Sequence, residues 1–100
     1  MKTFFRVQNK GISFKRMLKY KSHHEDGRLP GVACTLSAGG PFGGAPLDSG
    51  AEIVIFRGHK VADIYDGVVA QPVEEIVRFE IKTWFEMVAD GSAYEYESWE

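Results

Sequence analysis

Arg6, Thr35, Ser37 and Glu52 are the residues whose types could do chemistry together. Arg6 interrupts the apolar segment TFFRVQ, and an arginine among apolar neighbours needs an anion or an acceptor, because burying an isolated charge is costly. A guanidinium beside Ser and Thr hydroxyls can hold a phosphate or the edge of a ribose. A carboxylate opposite them, Glu52, can hydrogen-bond a ribose hydroxyl and stabilise an oxocarbenium-like centre, the logic of glycosidic bond cleavage. The plainer reading is that Arg6 and Glu52 pair on a sheet surface and nothing reacts. One geometric fact separates the two: whether Arg6 and Glu52 face each other across a single cleft.

Other groups make poorer sites. His23-His24 followed by Glu25-Asp26 offers metal ligands, but adjacent residues on a strand point apart, and no second Cys or His cluster supports them. His59 stands alone in a turn signal, so no metal is expected. Cys34 would need a neighbouring base to act as a nucleophile, and none is evident, so it reads as a buried thiol. The glycine-rich stretch Gly39–Gly50 lacks the GxxxxGK[ST] pattern and leads into a strand rather than a helix, which argues against a phosphate loop.

The elements that must position these residues follow from periodicity. TFFRVQ (residues 3–8) carries β-formers and reads as a strand, ended by the turn signal Asn9-Lys10-Gly11. ISFKRMLKYK places Phe14, Met17, Leu18 and Lys21 at helical spacing, with Ser13 as N-cap and Lys15, Arg16 and Lys19 outside. Residues 22–31 read as a polar loop. GVACTLSA (31–38) reads as a strand with Thr35 and Ser37 on one face and Cys34 and Leu36 on the other. Ile53-Val54-Ile55-Phe56 is the most apolar run and marks a buried strand over 52–57. Gly58-His59 suggests a tight turn into a second strand, KVADIY, and Asp66-Gly67 another turn into Val68-Val69-Ala70. Past Pro72, alternation predicts a strand over 75–83, then a helical turn through WFEMVAD ending at Gly91. AYEYESW alternates Tyr with Glu and reads as an exposed edge strand open to strand-to-strand homodimerisation. The expectation is an α+β fold, mainly β, of six or seven short strands in a compact or partly split sheet with one or two short helices.

One hundred residues form one domain, 1–100, able to hold a single core. The single cysteine excludes an internal disulfide, and no apolar run approaches the length of a membrane span or a leader, so the expected location is the cytoplasm. Net charge is only −2, but it hides a polarity. Residues 1–30 hold eight basic side chains against two acidic, and residues 71–100 hold two basic against eight acidic. Either the two ends lie together and neutralise, or they form patches of opposite sign, one of which meets a partner.

The order Arg6, then Thr35-Leu36-Ser37, then Glu52 on AEIVIFRG resembles the arginine, Ser-Thr-Ser and glutamate pattern of ADP-ribosyltransferase folds of bacterial and phage type. VIFRGHKVADIYDGVVAQPVEEI is similar to the closing hairpins of such small domains. The resemblance implies NAD as cofactor, with Arg6 on its phosphates or ribose, Thr35 and Ser37 under the nicotinamide and Glu52 as catalytic carboxylate. ADP-ribose would pass to a protein or nucleic-acid target. A different class fits the composition equally: a small inhibitor of phage or mobile-element origin, of anti-CRISPR or anti-defence type. Its acidic surface, with Glu86, Glu95 and Glu97, would bind a protein partner. A basic-ended nucleic-acid binder, with Phe4, Phe5, Phe14 and Tyr20 among the cations, ranks third.

Overall fold

The computed structural model describes residues 1–24, 27–39, 50–65 and 67–98. Residues 40–49, most of the glycine-rich stretch, lie outside the described residues. Among the described residues, six strands run in the order β1 (Lys2–Asn9), β2 (Lys21–His24), β3 (Gly27–Pro30), β4 (Val32–Cys34), β5 (Ala51–Ile64) and β6 (Gly67–Glu80). Helix α1 (Phe14–Met17) follows β1, and α2 (Ile81–Asp90) with a 3₁₀ helix (Ser92–Ser98) follows β6. The fold is α+β and mainly strand. The main sheet is antiparallel in the order β1-β5-β6-β4, and β2 with β3 forms a separate two-stranded sheet.

The sheet curls until its outer strands meet. Phe5 and Thr35 exchange two backbone hydrogen bonds of 2.9 Å, joining β1 to the end of β4. The curl comes from β5 and β6, each 14 residues long, whose ladder carries three register shifts. Such bulges bend a strand and increase its twist. Each face of the curled sheet then has its own core. Inside lie Phe4, Val32, Cys34, Val54, Phe56, Val68 and Ala70, contributed by all four strands, with Met17 of α1 closing one end. Outside, Phe5, Ile53 and Ile55 pack under α2 and the 3₁₀ helix through Trp84 and Ala93. This is why EIVIF and TFF are runs and not alternations: Val54 and Phe56 point one way, Ile53 and Ile55 the other, and both faces are covered.

Several elements differ from what periodicity predicts. Helix α1 is a single turn, capped as expected by Ser13, whose Oγ accepts from Arg16 N–H at 3.1 Å. It stops at Met17, leaving Leu18 51% exposed, because Tyr20 O accepts from Gly31 N–H and the chain enters β2. Residues 22–31, expected as a polar loop, include the paired strands β2 and β3. The strand expected over 31–38 is cut to Val32–Cys34 plus the Thr35 bridge. Gly58-His59 is not a turn. Gly58 lies mid-strand, where a side chain would run into the Gln71 carbonyl, so the glycine allows two backbones to approach. The predicted strand-to-helix switch is present, but the helix begins at Ile81 after Glu80. Gly91, with φ of 89°, ends it in the left-handed conformation. The segment expected as an edge strand over 93–99 is the 3₁₀ helix Ser92–Ser98. Ala93 and Tyr96, three residues apart, both turn onto Trp84 and its cluster, the periodicity of that helix. Among the described residues, 93–98 present no strand edge of the kind that suggested homodimerisation.

Substituting Gly58→Ala should cost about 1–3 kcal/mol through overpacking against β6. The neighbouring exposed His59→Ala should stay within about 0.5 kcal/mol of wild type. Urea midpoints of the two variants check this, and equal midpoints would restore the turn reading.

Candidate functional site

Register decides which candidate residues meet. Arg6 lies opposite Val54 and Gln8 opposite Glu52 in the β1–β5 ladder. Directly paired residues share a face, so Arg6 and Glu52 both belong to the inner face, two rungs apart. The two side chains nonetheless have separate partners.

Arg6 bridges the seam of the curled sheet. Its Nη1 donates to the Ala33 carbonyl of β4 at 2.8 Å, and its Cζ lies 5.5 Å from the centre of the Tyr20 ring. A guanidinium is suited to both, since it has several donors and an apolar planar face. Burial pulls its pKa below the ordinary value, and neighbouring Cys34 and Tyr20 oppose that shift.

Glu52 is held by Arg78, a residue that periodicity alone presents only as the polar half of an alternation. Arg78 Nη1 donates to Glu52 Oε1 at 2.7 Å, with the Glu52 side chain only 12% exposed. Arg78 Nε donates to Glu75 Oε1 at 2.5 Å, and its Nη1 also donates to the Ile12 carbonyl. Gln8 Nε2 donates to the same carbonyl at 3.2 Å. Arg78 thus fastens the connection after β1 onto the β5–β6 ladder. The sequence does carry a signal for it: Arg78 interrupts an apolar run, VRF, just as Arg6 does.

The hydroxyls do not join this group. Thr35 is bridged to Phe5, so it faces outward with Phe5, and its Oγ1 donates to Ser37 O at 2.8 Å in a local turn. Ser37 lies beyond the strand and is exposed. Arg6 and Glu52 therefore share one side of the sheet while Thr35 belongs to the other. Cys34 is inside the curl, its Sγ donating to Val68 O at 3.7 Å. Burial pushes its thiol up to about 12, with Arg6 pulling the other way. A protonated, enclosed thiol is inert as a nucleophile.

The acidic candidates lie in the outer layer. Glu86 is exposed on α2 and Glu95 on the 3₁₀ helix. Glu97 holds the outer layer to the end of the β4 segment. Its Oε1 accepts from Ala38 N–H at 2.7 Å, while Trp84 Nε1 donates to Ala38 O at 3.2 Å. Among the described residues no group of three or more His, Cys, Asp or Glu converges as a metal site, and no helix is long and apolar enough to cross a membrane. Comparison with protein-family models, with curated proteins and with solved structures returned no match.

Replacing Arg78 by Met leaves Glu52 buried without its partner and should cost about 3 kcal/mol. The double variant Glu52→Leu/Arg78→Met should be less destabilised than the two single costs added together. A double-mutant cycle by urea unfolding measures this coupling, and simple additivity would mean that the pair contributes nothing. Cys34 gives a pH prediction. Its folded pKa lies above the ordinary 9.0, so the folded chain keeps a proton that the unfolded chain releases. Its contribution is full below pH 9.0 and is lost as pH climbs toward about 12. Cys34→Ala should flatten that alkaline decline in a pH series of unfolding midpoints.

Proposed function

We propose that this protein is a small cytoplasmic interaction protein, of the kind that inhibits a macromolecular partner by occupying a basic groove with its acidic layer. The observation that carries the reading is the separation of charge by the sheet. Residues 10–21, which include the inner-face cover, hold Lys10, Lys15, Arg16, Lys19 and Lys21 and no acidic residue. Residues 81–98, the outer cover, hold Glu86, Asp90, Glu95 and Glu97 against Lys82. These two segments of the charge blocks cover different faces, and Lys10 with Glu80, 3.1 Å apart, is an exposed pair between them. A one-sign layer on a stable sheet steers association toward an oppositely charged surface and orients the approach. A bacterial or phage nucleic-acid-binding enzyme offers such a surface.

A second reading, ADP-ribose transfer from NAD with Glu52 as the catalytic carboxylate and Arg6 on the cofactor, is favoured by the inner face that these two residues share. It requires Glu52 to leave Arg78, and it draws nothing from Thr35 or Ser37, which lie elsewhere. The interaction reading requires no rearrangement.

Two assays distinguish them. Incubation with labelled NAD and host extract should give no transfer by the wild-type chain, whereas transfer that disappears in Glu52→Gln would establish the enzyme. Affinity capture from the same extract should yield a partner whose binding falls at least about tenfold in Glu86→Lys/Glu95→Lys and weakens with added salt. Capture that ignores both the reversal and the salt would remove the acidic layer from the interface.

A further inference from the structure

β5 outruns the strand beside it. The β1 ladder ends at Lys2 opposite Gly58, whereas β5 continues to Ile64 with β6 on its other side. Among the described residues no strand lies along the β1 side of His59–Ile64. The register fixes where the backbone groups of that stretch point. Thr35 bonds Phe5 across the seam, so its neighbour Cys34 directs N–H and C=O the other way, to Val68, and Val32 directs its own to Ala70. Val68 and Ala70 are thus turned toward β4 and away from β5. Opposite residues of an antiparallel pair turn toward each other or away together, so Asp63, opposite Val68, and Lys60, opposite Ala70, are turned away from β6. Both present N–H and C=O at the open edge.

An open edge invites other chains, and a lysine or a bulge on it is a common guard against them. Both guards are here, and they admit one partner. Val61 is an extra residue of β5, between Lys60 opposite Ala70 and Ala62 opposite Val69, so the two outward residues stand three apart instead of two. Lys60 and Asp63 still lie on one face, since Nζ and Oδ1 are 2.7 Å apart, and both are exposed. A strand with this spacing and this order of charges is complementary to itself. Turned about a twofold axis between residues 61 and 62, a second copy sets the partner's Asp63 opposite Lys60 and the partner's Lys60 opposite Asp63. Its bulge has the same spacing by symmetry. Between the two charged pairs, the exposed Val61 meets the partner's Ala62.

We propose that the chain forms a twofold dimer by pairing His59–Ile64 of β5 with the same stretch of a second copy, in the register that opposes Lys60 to the partner's Asp63. Each such pair exchanges backbone hydrogen bonds and joins opposite charges, and the main sheets of the two copies become continuous. The shared stretch is short, so the dimer is of the weak class, with a Kd of about 0.1 mM. This end of β5 lies beyond Ile53 and Ile55, on which the acidic layer packs, so the dimer stands whether or not that layer binds a partner.

Sedimentation equilibrium from about 10 µM to about 1 mM should show a monomer passing into a dimer. Lys60→Asp and Asp63→Lys each set like charges opposite one another at both pairs, and each should weaken self-association at least about tenfold. An equimolar mixture of the two variants should associate as the wild type does, because one then carries two aspartates and the other two lysines. Loss of the Lys60–Asp63 pair within each chain is common to both variants and cannot produce that recovery. A wild type that stays monomeric at about 1 mM overturns the proposal. So does self-association that both variants leave unchanged, or a mixture that associates no better than either variant alone. Should a variant fail to fold, hydrogen exchange on the wild type decides: the Lys60 and Asp63 amides should exchange more slowly as concentration rises, and a dimer that leaves both unprotected overturns the pairing.

Discussion

The pair of hydrogen bonds between Phe5 and Thr35 determines what kind of object the sheet is. Four strands laid flat would have two exposed edges and two similar faces. Joined at this one bridge, they acquire an inside and an outside. The inside is small, so it is filled by few residues of fitted size: Phe4 stacked on Phe56 with ring centres 5.6 Å apart, and Val, Cys and Ala around them. The outside is broad and needs a lid, which α2 supplies with Trp84 at its centre, within 6.0 Å of Phe5, Phe79 and Tyr96 ring to ring. The bridge also explains Arg6. Beyond Thr35 the two edge strands diverge, and the Ala33 carbonyl facing the gap takes its hydrogen bond from a guanidinium that spans it.

The second constraint is electrostatic and follows from the first. Curling β5 against β6 brings Arg78 of one strand beside Glu52 of the other at a place where water is largely excluded. Charges there must be paired, and the pair has further partners in Glu75 and the Ile12 carbonyl. The arrangement gives the connection between β1 and α1 a defined position over the inner core. That connection is also where the basic residues cluster, so an internal ion pair fixes the placement of an external charged surface.

Much of this is legible in the residues. The runs TFF and IVIF announce strands buried on both sides, Ser13 announces a helix start, and the change from two-residue alternation to helical spacing near residue 80 is real. The failures share a cause: local signals are overruled by long-range packing. Gly58 looks like a turn because glycine permits one, but its absent side chain serves the close approach of Gln71. Tyr94-Glu95-Tyr96-Glu97 alternates like a strand, but Trp84 and Phe79 offer a surface that a 3₁₀ helix fits with Ala93 and Tyr96. Arg78 and Arg6 have the same local setting, an arginine between apolar residues, and only register reveals that the carboxylate belongs to Arg78. Separation along the chain does not report which strands lie side by side, so the candidate site is legible as a set of residues but not as a set of contacts.

That distinction bears on how a charged constellation is read. Glu52 shares a face with Arg6 but does not meet it across a cleft, and proximity on a face is weaker than availability. A carboxylate poised for a ribose hydroxyl needs an open approach and an unoccupied acceptor, and here the strongest donor in reach is already on it at 2.7 Å. The charges on the two covers are among those that solvent and salt reach, unlike Glu52. A fold this small has few interior positions, and those that carry charge are engaged in holding the curl closed. The sheet sets the opposition between the basic and acidic covers.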